Sequence, residues 1–323
     1  MRAVEVTQFG GPEVLVVTES PEPVPGPGQV AVAAAYVDTL FMDIQLRSGA
    51  WKDFFPIRPP YIPGDGVAGT VVRVGPGVDQ AWAGRRVVAL TQGVGAYAEQ
   101  TVATLDQVVA VPDALDLKVA AALVHDGRTA YALAESTGVR PGEWVLVLAA
   151  AGGLGLLLVQ LAQAAGARVI GAARGSRKLE VILEHSAELA VDYSDVGWTE
   201  QVAAATAGRG PDVVFDGAGG LIGGQALQLT ASGGRFSAHG APSGEFADVH
   251  VDQVRHRQLT VKGIEQAQLD AGDGSRVTAQ ALTEAAAGRI GPLVGQTFPL
   301  EKSAEAHAAI EARAVVGKTL LVI

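Results

Sequence analysis

The sequence predicts an α/β protein, a doubly wound parallel sheet joined to a second, mostly β domain of partly barrel-like character. Three observations carry this reading. From about Ala120 onward, short apolar runs alternate with helical patterns, which specifies parallel strands linked by right-handed crossovers. Before that point the chain is rich in Val and punctuated by Gly and Pro, the texture of short antiparallel strands. At 323 residues it is long enough for two separate cores.

In chain order, the first third supplies the runs EVLVV, QVAVAAAYV, GVAGTVVRVG, RRVVAL, AYAEQTVA and QVVAVP, separated by clusters such as PEPVPGPG and GPGVD. The alternating region then reads WVLVLA, a helix from about Leu156 to Ala165, RVIGAA, and a helix near Lys178 to His185. It continues as LAVDY, a helix from about Thr199 to Ala207, DVVFD, a helix near Gly223 to Ala231, GRFSAH and LTVKGI. The tail ends in a strand, TLLVI, that is expected to return to the first domain. The expected division is therefore 1–122 with 291–323 for the mostly β domain, and 123–290 for the parallel-sheet domain.

Composition narrows the function. A net charge of −10 argues against nucleic acid, whose phosphates need a basic surface. The chain has no cysteine, which excludes disulfides, thiolate zinc sites and a thiol nucleophile. The six histidines are scattered, and none has zinc-like spacing with a carboxylate, so no metal is expected. The start, MRAVEVTQFGG, lacks the apolar core of a signal peptide, and the cytoplasm is the default. The most apolar stretch, VLVLAAAGGLGLLLVQL at 145–161, falls short of the ~20 residues of a spanning helix and is interrupted by three glycines.

Those glycines suit a strand, a tight turn and a helix. Gly152 and Gly155 match the second and third glycines of G-x-G-x-x-G, with Ala150 where the first would stand. The middle glycine admits a pyrophosphate to the backbone, and the last lets helix pack on strand. Free N–H groups at the helix start then face the phosphates. This is the Rossmann arrangement, and it predicts a dinucleotide site. About 20 residues on, NAD-binding versions place an acid, whereas this chain has Ala173. Arg174, Arg177 and Lys178 follow within five residues, and such donors suit a 2′-phosphate. The cofactor expected is NADPH.

Taken together, MRAVEVTQFGGPEVLVV, PEPVPGPGQVAV, DIQLRSGAW, PYIPGDGVAGTVVRVGPGV, GAYAEQTV, AAAGGLG and AHAAIEARAVVGKTLLVI resemble the zinc-independent quinone oxidoreductases of the medium-chain dehydrogenase/reductase superfamily, essentially end to end. The resemblance implies a GroES-like catalytic domain, an inserted dinucleotide domain and a homodimer. It implies Gly152, Gly153, Leu154 and Gly155 under the pyrophosphate, and Arg174, Ser176, Lys178 and Tyr193 around the 2′-phosphate. It also implies Thr129, Ala218, Gly240, Ile264 and Lys318 along the nicotinamide half. Zinc-dependent relatives have Cys where this chain has Leu40 and Gly-His-Glu where it reads Gly64, Asp65, Gly66. Many quinone reductases carry Asn at the position of Leu40, so substrate preference does not transfer with the fold.

The implied reaction is hydride transfer to an electron-poor conjugated acceptor, a quinone or an α,β-unsaturated carbonyl. An enoyl reductase acting on a thioester uses the same chemistry, and a non-catalytic NADPH-binding protein is an alternative of another class. Candidate cleft residues are Asp43, Tyr61, His125 and Asp126. Each has a plainer reading: Asp43 pairs with Arg47 at i,i+4 on a helix, Tyr61 packs, and His125 and Asp126 serve a domain junction. The aromatic loop WKDFFPIRPPYIP either walls a substrate pocket or packs on its own domain.

Overall fold

The structure, a computed structural model, describes residues 1–242 and 244–323. The elements run β1 (Arg2–Val6), β2 (Leu15–Glu19), β3 (Gln29–Asp38), α1 (Phe41–Ser48), β4 (Gly66–Val74), β5 (Arg86–Leu90), β6 (Gln100–Thr104), β7 (Val108–Ala110), α2 (Leu117–Leu123) and α3 (Asp126–Thr137). Next come β8 (Trp144–Leu148), α4 (Gly153–Ala164), β9 (Arg168–Ala173), α5 (Ser176–Glu184), β10 (Leu189–Asp192), α6 (Trp198–Ala205), β11 (Val213–Asp216) and α7 (Gly220–Leu229). The chain closes with β12 (Arg235–Ala238), α8 (Val251–His256), β13 (Thr260–Lys262), α9 (Ala271–Ala286), β14 (Val294–Pro299), α10 (Ser303–Glu311) and β15 (Lys318–Val322).

Two units divide the chain, Met1–Arg128 with Asp270–Ile323, and Thr129–Leu269. In the first, a seven-stranded sheet has the order β14-β15-β3-β4-β5-β7, with β6 also paired to β3, and a separate ribbon joins β1 to β2. All pairings are antiparallel except β14 with β15. The expected return of the tail is present: Leu320, Leu321 and Val322 of β15 oppose Asp38, Val37 and Tyr36 of β3. Alternating Val residues such as Val30, Val32, Val67 and Val71 fill the core of this unit.

In the second unit a six-stranded parallel sheet has the order β10-β9-β8-β11-β12-β13. Its first strand, β8, is buried at all five positions, as a central parallel strand covered on both faces requires. The apolar run at 145–161 thus divides into β8, a turn, and α4, and no helix among the described residues is long and apolar enough to cross a membrane. Gly166, at φ +79°, ends α4 in the left-handed conformation its position requires.

The division differs from the expected 122/123 and 290/291. Helix α9, expected within the parallel-sheet domain, belongs to the first unit. Gly272 and Gly274 hide it as a helix, and Gly274 together with Gly127 of α3 fixes its packing. A Cβ on Gly274 would lie 2.2 Å from the Arg128 guanidinium carbon, and one on Gly127 would lie 2.9 Å from Ala281 Cβ. Buried Val277, Ala281 and Leu282 complete that contact face.

Candidate cofactor turn and buried charge ladder

The glycine-rich turn is built from the end of β8. Ala149 takes φ +53°, and Gly152 is extended and immediately precedes the first turn of α4. The first N–H groups of any helix lack intrahelical acceptors. Those of Gly153, Leu154 and Gly155 have no partner among the described residues. A Cβ on Gly155 would come within 2.5 Å of the Ala149 carbonyl oxygen and 2.7 Å of Ala150 Cα, so helix and strand meet through this glycine. A Cβ on Gly152 would meet only that carbonyl, at 3.4 Å. The two glycines thus have different duties: Gly155 closes a contact inside the protein, and Gly152 keeps a space open outside it.

At the end of β9 the expected basic residues separate. Arg174 and Ser176 are exposed and Lys178 is half-buried. Arg177 turns along α5 to Glu180 at 3.2 Å and Glu184 at 3.6 Å. Asp192, closing β10, accepts the Gly175 N–H at 2.7 Å and that of Ser194 at 2.9 Å. Burial would raise its pKa, but these bonds hold it below the ordinary range. Tyr193 packs at the edge of the unit's core.

Further along the same sheet edge, Asp216 ends β11 and its Oδ1 accepts the N–H groups of Ala218 and Gly219 at 2.9 and 2.8 Å. Its Oδ2 is buried without a partner, and burial, partly offset by those two bonds, pushes the carboxyl up to about 6. Gly240 N–H donates to the Asp216 carbonyl at 3.0 Å. Thr129 is in α3, and Ile264 is exposed beyond β13.

The first unit holds a different construction. His125 Nδ1 lies 2.8 Å from Asp38 Oδ2, and its Nε2 lies 3.1 Å from Asp65 Oδ2. The Lys318 ammonium pairs with Asp38 and, at 3.2 Å, with Asp126. Five groups of alternating sign therefore run Asp65, His125, Asp38, Lys318, Asp126. They arrive from the ends of β3 and β15, the loop before β4, and the start of α3. Burial opposes the charge on His125, yet its bonds to the two carboxylates outweigh it and hold the imidazole up to about 10. Lys318 is likewise held above the ordinary lysine range, by Asp126 and Asp38 against burial.

Of the sequence candidates, the structure brings His125, Asp126 and Lys318 together. Lys318, expected along the nicotinamide half, is 5% exposed and committed to two carboxylates. Asp38 was missed; its one signal is an acid closing the apolar run QVAVAAAYVD. Asp43 does not pair with Arg47, correcting that expectation. Its Oδ2 accepts the Leu40 N–H at 2.8 Å and lies 3.3 Å from the Tyr97 hydroxyl, while Arg47 pairs with Glu311 of α10. The N3 position of Asp43 in α1 makes the helix-capping contact available, which a spacing argument overlooks. Burial pushes Asp43 up to about 7. The Tyr61 hydroxyl is buried without a partner, and its ring packs on the core. In the aromatic loop, Trp51 and Phe55 stack on each other at 6.1 Å, leaving Phe54 82% exposed.

A mostly β unit interrupted in sequence by a parallel-sheet unit with a glycine-rich first turn defines a two-unit dehydrogenase/reductase. Residues 26–113 match the alcohol dehydrogenase GroES-like domain, and residues 153–279 match the zinc-binding dehydrogenase family. A probable quinone oxidoreductase of Schizosaccharomyces pombe is 34% identical over 98% of this chain and 96% of its own. A 2-haloacrylate reductase of a Burkholderia species is 31% identical, covering 99% and 98%. The structure of Escherichia coli quinone oxidoreductase complexed with NADPH superposes with a TM-score of 0.93 at 29% identity, covering all of both chains. The chain belongs to the quinone oxidoreductase family of the medium-chain dehydrogenase/reductase superfamily.

Proposed function

We propose that this chain is an NADPH-dependent, zinc-independent oxidoreductase that reduces a quinone or another conjugated carbonyl. The observation that carries the cofactor reading is the end of β9, where Ala173 replaces the acid and Arg174 and Lys178 follow. The open space over Gly152 and the unpartnered N–H groups of Gly153, Leu154 and Gly155 fit a pyrophosphate. Ser176 and Tyr193 would flank the 2′-phosphate. Thr129, Ala218, Gly240 and Ile264 would lie toward the nicotinamide.

NADPH, when bound, supplies a hydride, and one proton from water or a side chain completes the two-electron reduction of the acceptor. The protein's share is to hold both reactants in register and exclude competing reactions. Zinc independence rests on the ligand positions: Leu40 offers no donor atom. Asp65 faces His125 through one oxygen, and the other accepts the Thr91 and Gly93 N–H groups at 2.9 and 2.6 Å. We assign the charge ladder from Asp65 to Asp126 to holding together the strand ends that a metal would otherwise tie. Asp43 and Tyr61 then belong to the interior of the first unit. Family membership supports a cytoplasmic homodimer, which size-exclusion chromatography with light scattering tests.

The Burkholderia relative favours a second substrate reading, reduction of a conjugated acid. NADPH oxidation followed by absorbance against matched quinones, enones and a haloacrylate, with NADH alongside, separates these. Turnover with NADPH on quinones is the expected result. Turnover confined to enones or the acrylate moves the substrate class, and equal use of NADH removes the phosphate argument. NADPH binding with no turnover on any acceptor supports a non-catalytic role.

A further inference from the structure

The strand order β10-β9-β8-β11-β12-β13 reverses direction between β8 and β11. In open parallel sheets, ligands lie in the crevice at the carboxyl ends of the strands flanking such a reversal. Arg174 and Lys178 place the 2′-phosphate beyond β9, and the turn after β8 takes the pyrophosphate. A dinucleotide continuing in that direction reaches the ends of β11 and β12. Besides Asp216, whose Oδ1 is taken up by the turn that follows β11, a second polar side chain stands there, and none of the motifs read from the sequence accounts for it.

That side chain is His239, the first residue after β12. Its ring leans from β12 over the end of β11: a Cβ on Gly217 would fall 3.4 Å from His239 Nε2 and 3.1 Å from the Leu148 carbonyl oxygen. Gly217 therefore leaves the gap through which the imidazole reaches toward the β8–β11 crevice. Phe215 meets the ring edge-on, with centroids 6.4 Å apart. Behind it, Nδ1 lies 3.1 Å from Ser237 Oγ, which accepts a hydrogen bond from Gln266 Nε2 at 2.8 Å. Gln266 Nε2 is itself fixed by the Gly263 carbonyl at 2.8 Å. The chain Gln266–Ser237–His239 sets the ring's orientation. Nε2 has no partner among the described residues and is not sealed from solvent.

We infer that His239 is a positioning residue for the nicotinamide-bearing half of the cofactor, giving its Nε2 to a ribose hydroxyl or the carboxamide. The inference rests on the NADPH reading above. Burial lowers the imidazole to about 4, so the ring offers one neutral hydrogen bond across the physiological range. Ser237 and Gln266 act through it, by holding the ring.

The test compares two ligands on the full chain by calorimetry: NADPH, and adenosine 2′,5′-bisphosphate, which has the 2′-phosphate end and lacks the nicotinamide half. H239L is expected to weaken NADPH about tenfold while leaving the bisphosphate within about twofold, because one net hydrogen bond is lost. H239Q, whose amide reaches the Nε2 position, is expected to recover most of the loss. Equal weakening of both ligands in H239L would make His239 a support of the sheet edge and overturn the inference, as would unchanged NADPH affinity. A wild-type chain that binds neither ligand removes the cofactor reading itself. One that binds both, beside an H239L variant that matches it, removes only the role of His239.

Discussion

At the residue scale, neighbouring glycines in one turn make opposite predictions. G155A places a methyl against the Ala149 carbonyl and Ala150 Cα. Strand and helix must separate, at a cost of about 2 kcal/mol, read as a fall in the urea midpoint. G152A meets only ordinary contact and should stay within about 0.5 kcal/mol of wild type, yet weaken NADPH about tenfold by occupying the pyrophosphate space. The pair R174A/K178A should cost about 100-fold in NADPH affinity and leave NADH within about twofold, since only the 2′-phosphate distinguishes them. Titration of both dinucleotides by fluorescence checks the pair. The glycines were legible because backbone space is a local property. Arg177 was not separable from Arg174 and Lys178 in the sequence, because its pairing with Glu180 and Glu184 follows from its azimuth on α5.

At the element scale, β15 shows why the tail matters to a unit that begins 300 residues earlier. Its strand hydrogen-bonds to β3 and delivers Lys318 between Asp38 and Asp126. K318M leaves two buried carboxylates facing each other, and a loss of about 3–5 kcal/mol is expected on urea unfolding. Adding D126N should return part of that loss, because the uncompensated charge is the cause. Were the single variant as stable as wild type, the ladder would have no holding role. Helix α9 teaches the converse. Gly272 and Gly274 in its first turn argue against a helix by propensity, yet Gly274 is what lets the Arg128 guanidinium lie against it. Tertiary packing overrode the local signal and moved the unit boundary with it.

For the whole molecule, the buried ionisable groups predict the shape of stability against pH. His125 is raised from the ordinary 6.5 to about 10, so its contribution is complete below about 6.5 and is lost as pH rises through about 10. Asp43, raised to about 7 chiefly by burial, acts in the same direction at lower pH, favouring the fold most when protonated. His239 and His307, depressed by burial to about 4 and about 3, contribute stability above 6.5 that is lost as pH falls through those values. The unfolding free energy should therefore decline from neutral toward pH 10. Toward acid, Asp43 and Asp216, which burial raises to about 7 and about 6, offset the two histidines. That offset holds until Asp38 and Asp65, held low against burial by their ladder partners, protonate and the fold weakens. H125Q should flatten the alkaline limb specifically, which thermal melts across that range would show.

The chain by itself determined the class of each unit, the strand–turn–helix around Gly152 and Gly155, and the basic end of β9. All of these are written within a few dozen consecutive residues, where periodicity and backbone space act locally. Only the tertiary structure decided that Asp38, Asp65, His125, Asp126 and Lys318 share one ladder, that Arg47 answers Glu311 instead of Asp43, and that His239 reaches over Gly217. Those relations join residues up to 280 positions apart, and electrostatic partners are chosen by distance in space, which spacing along a chain does not encode.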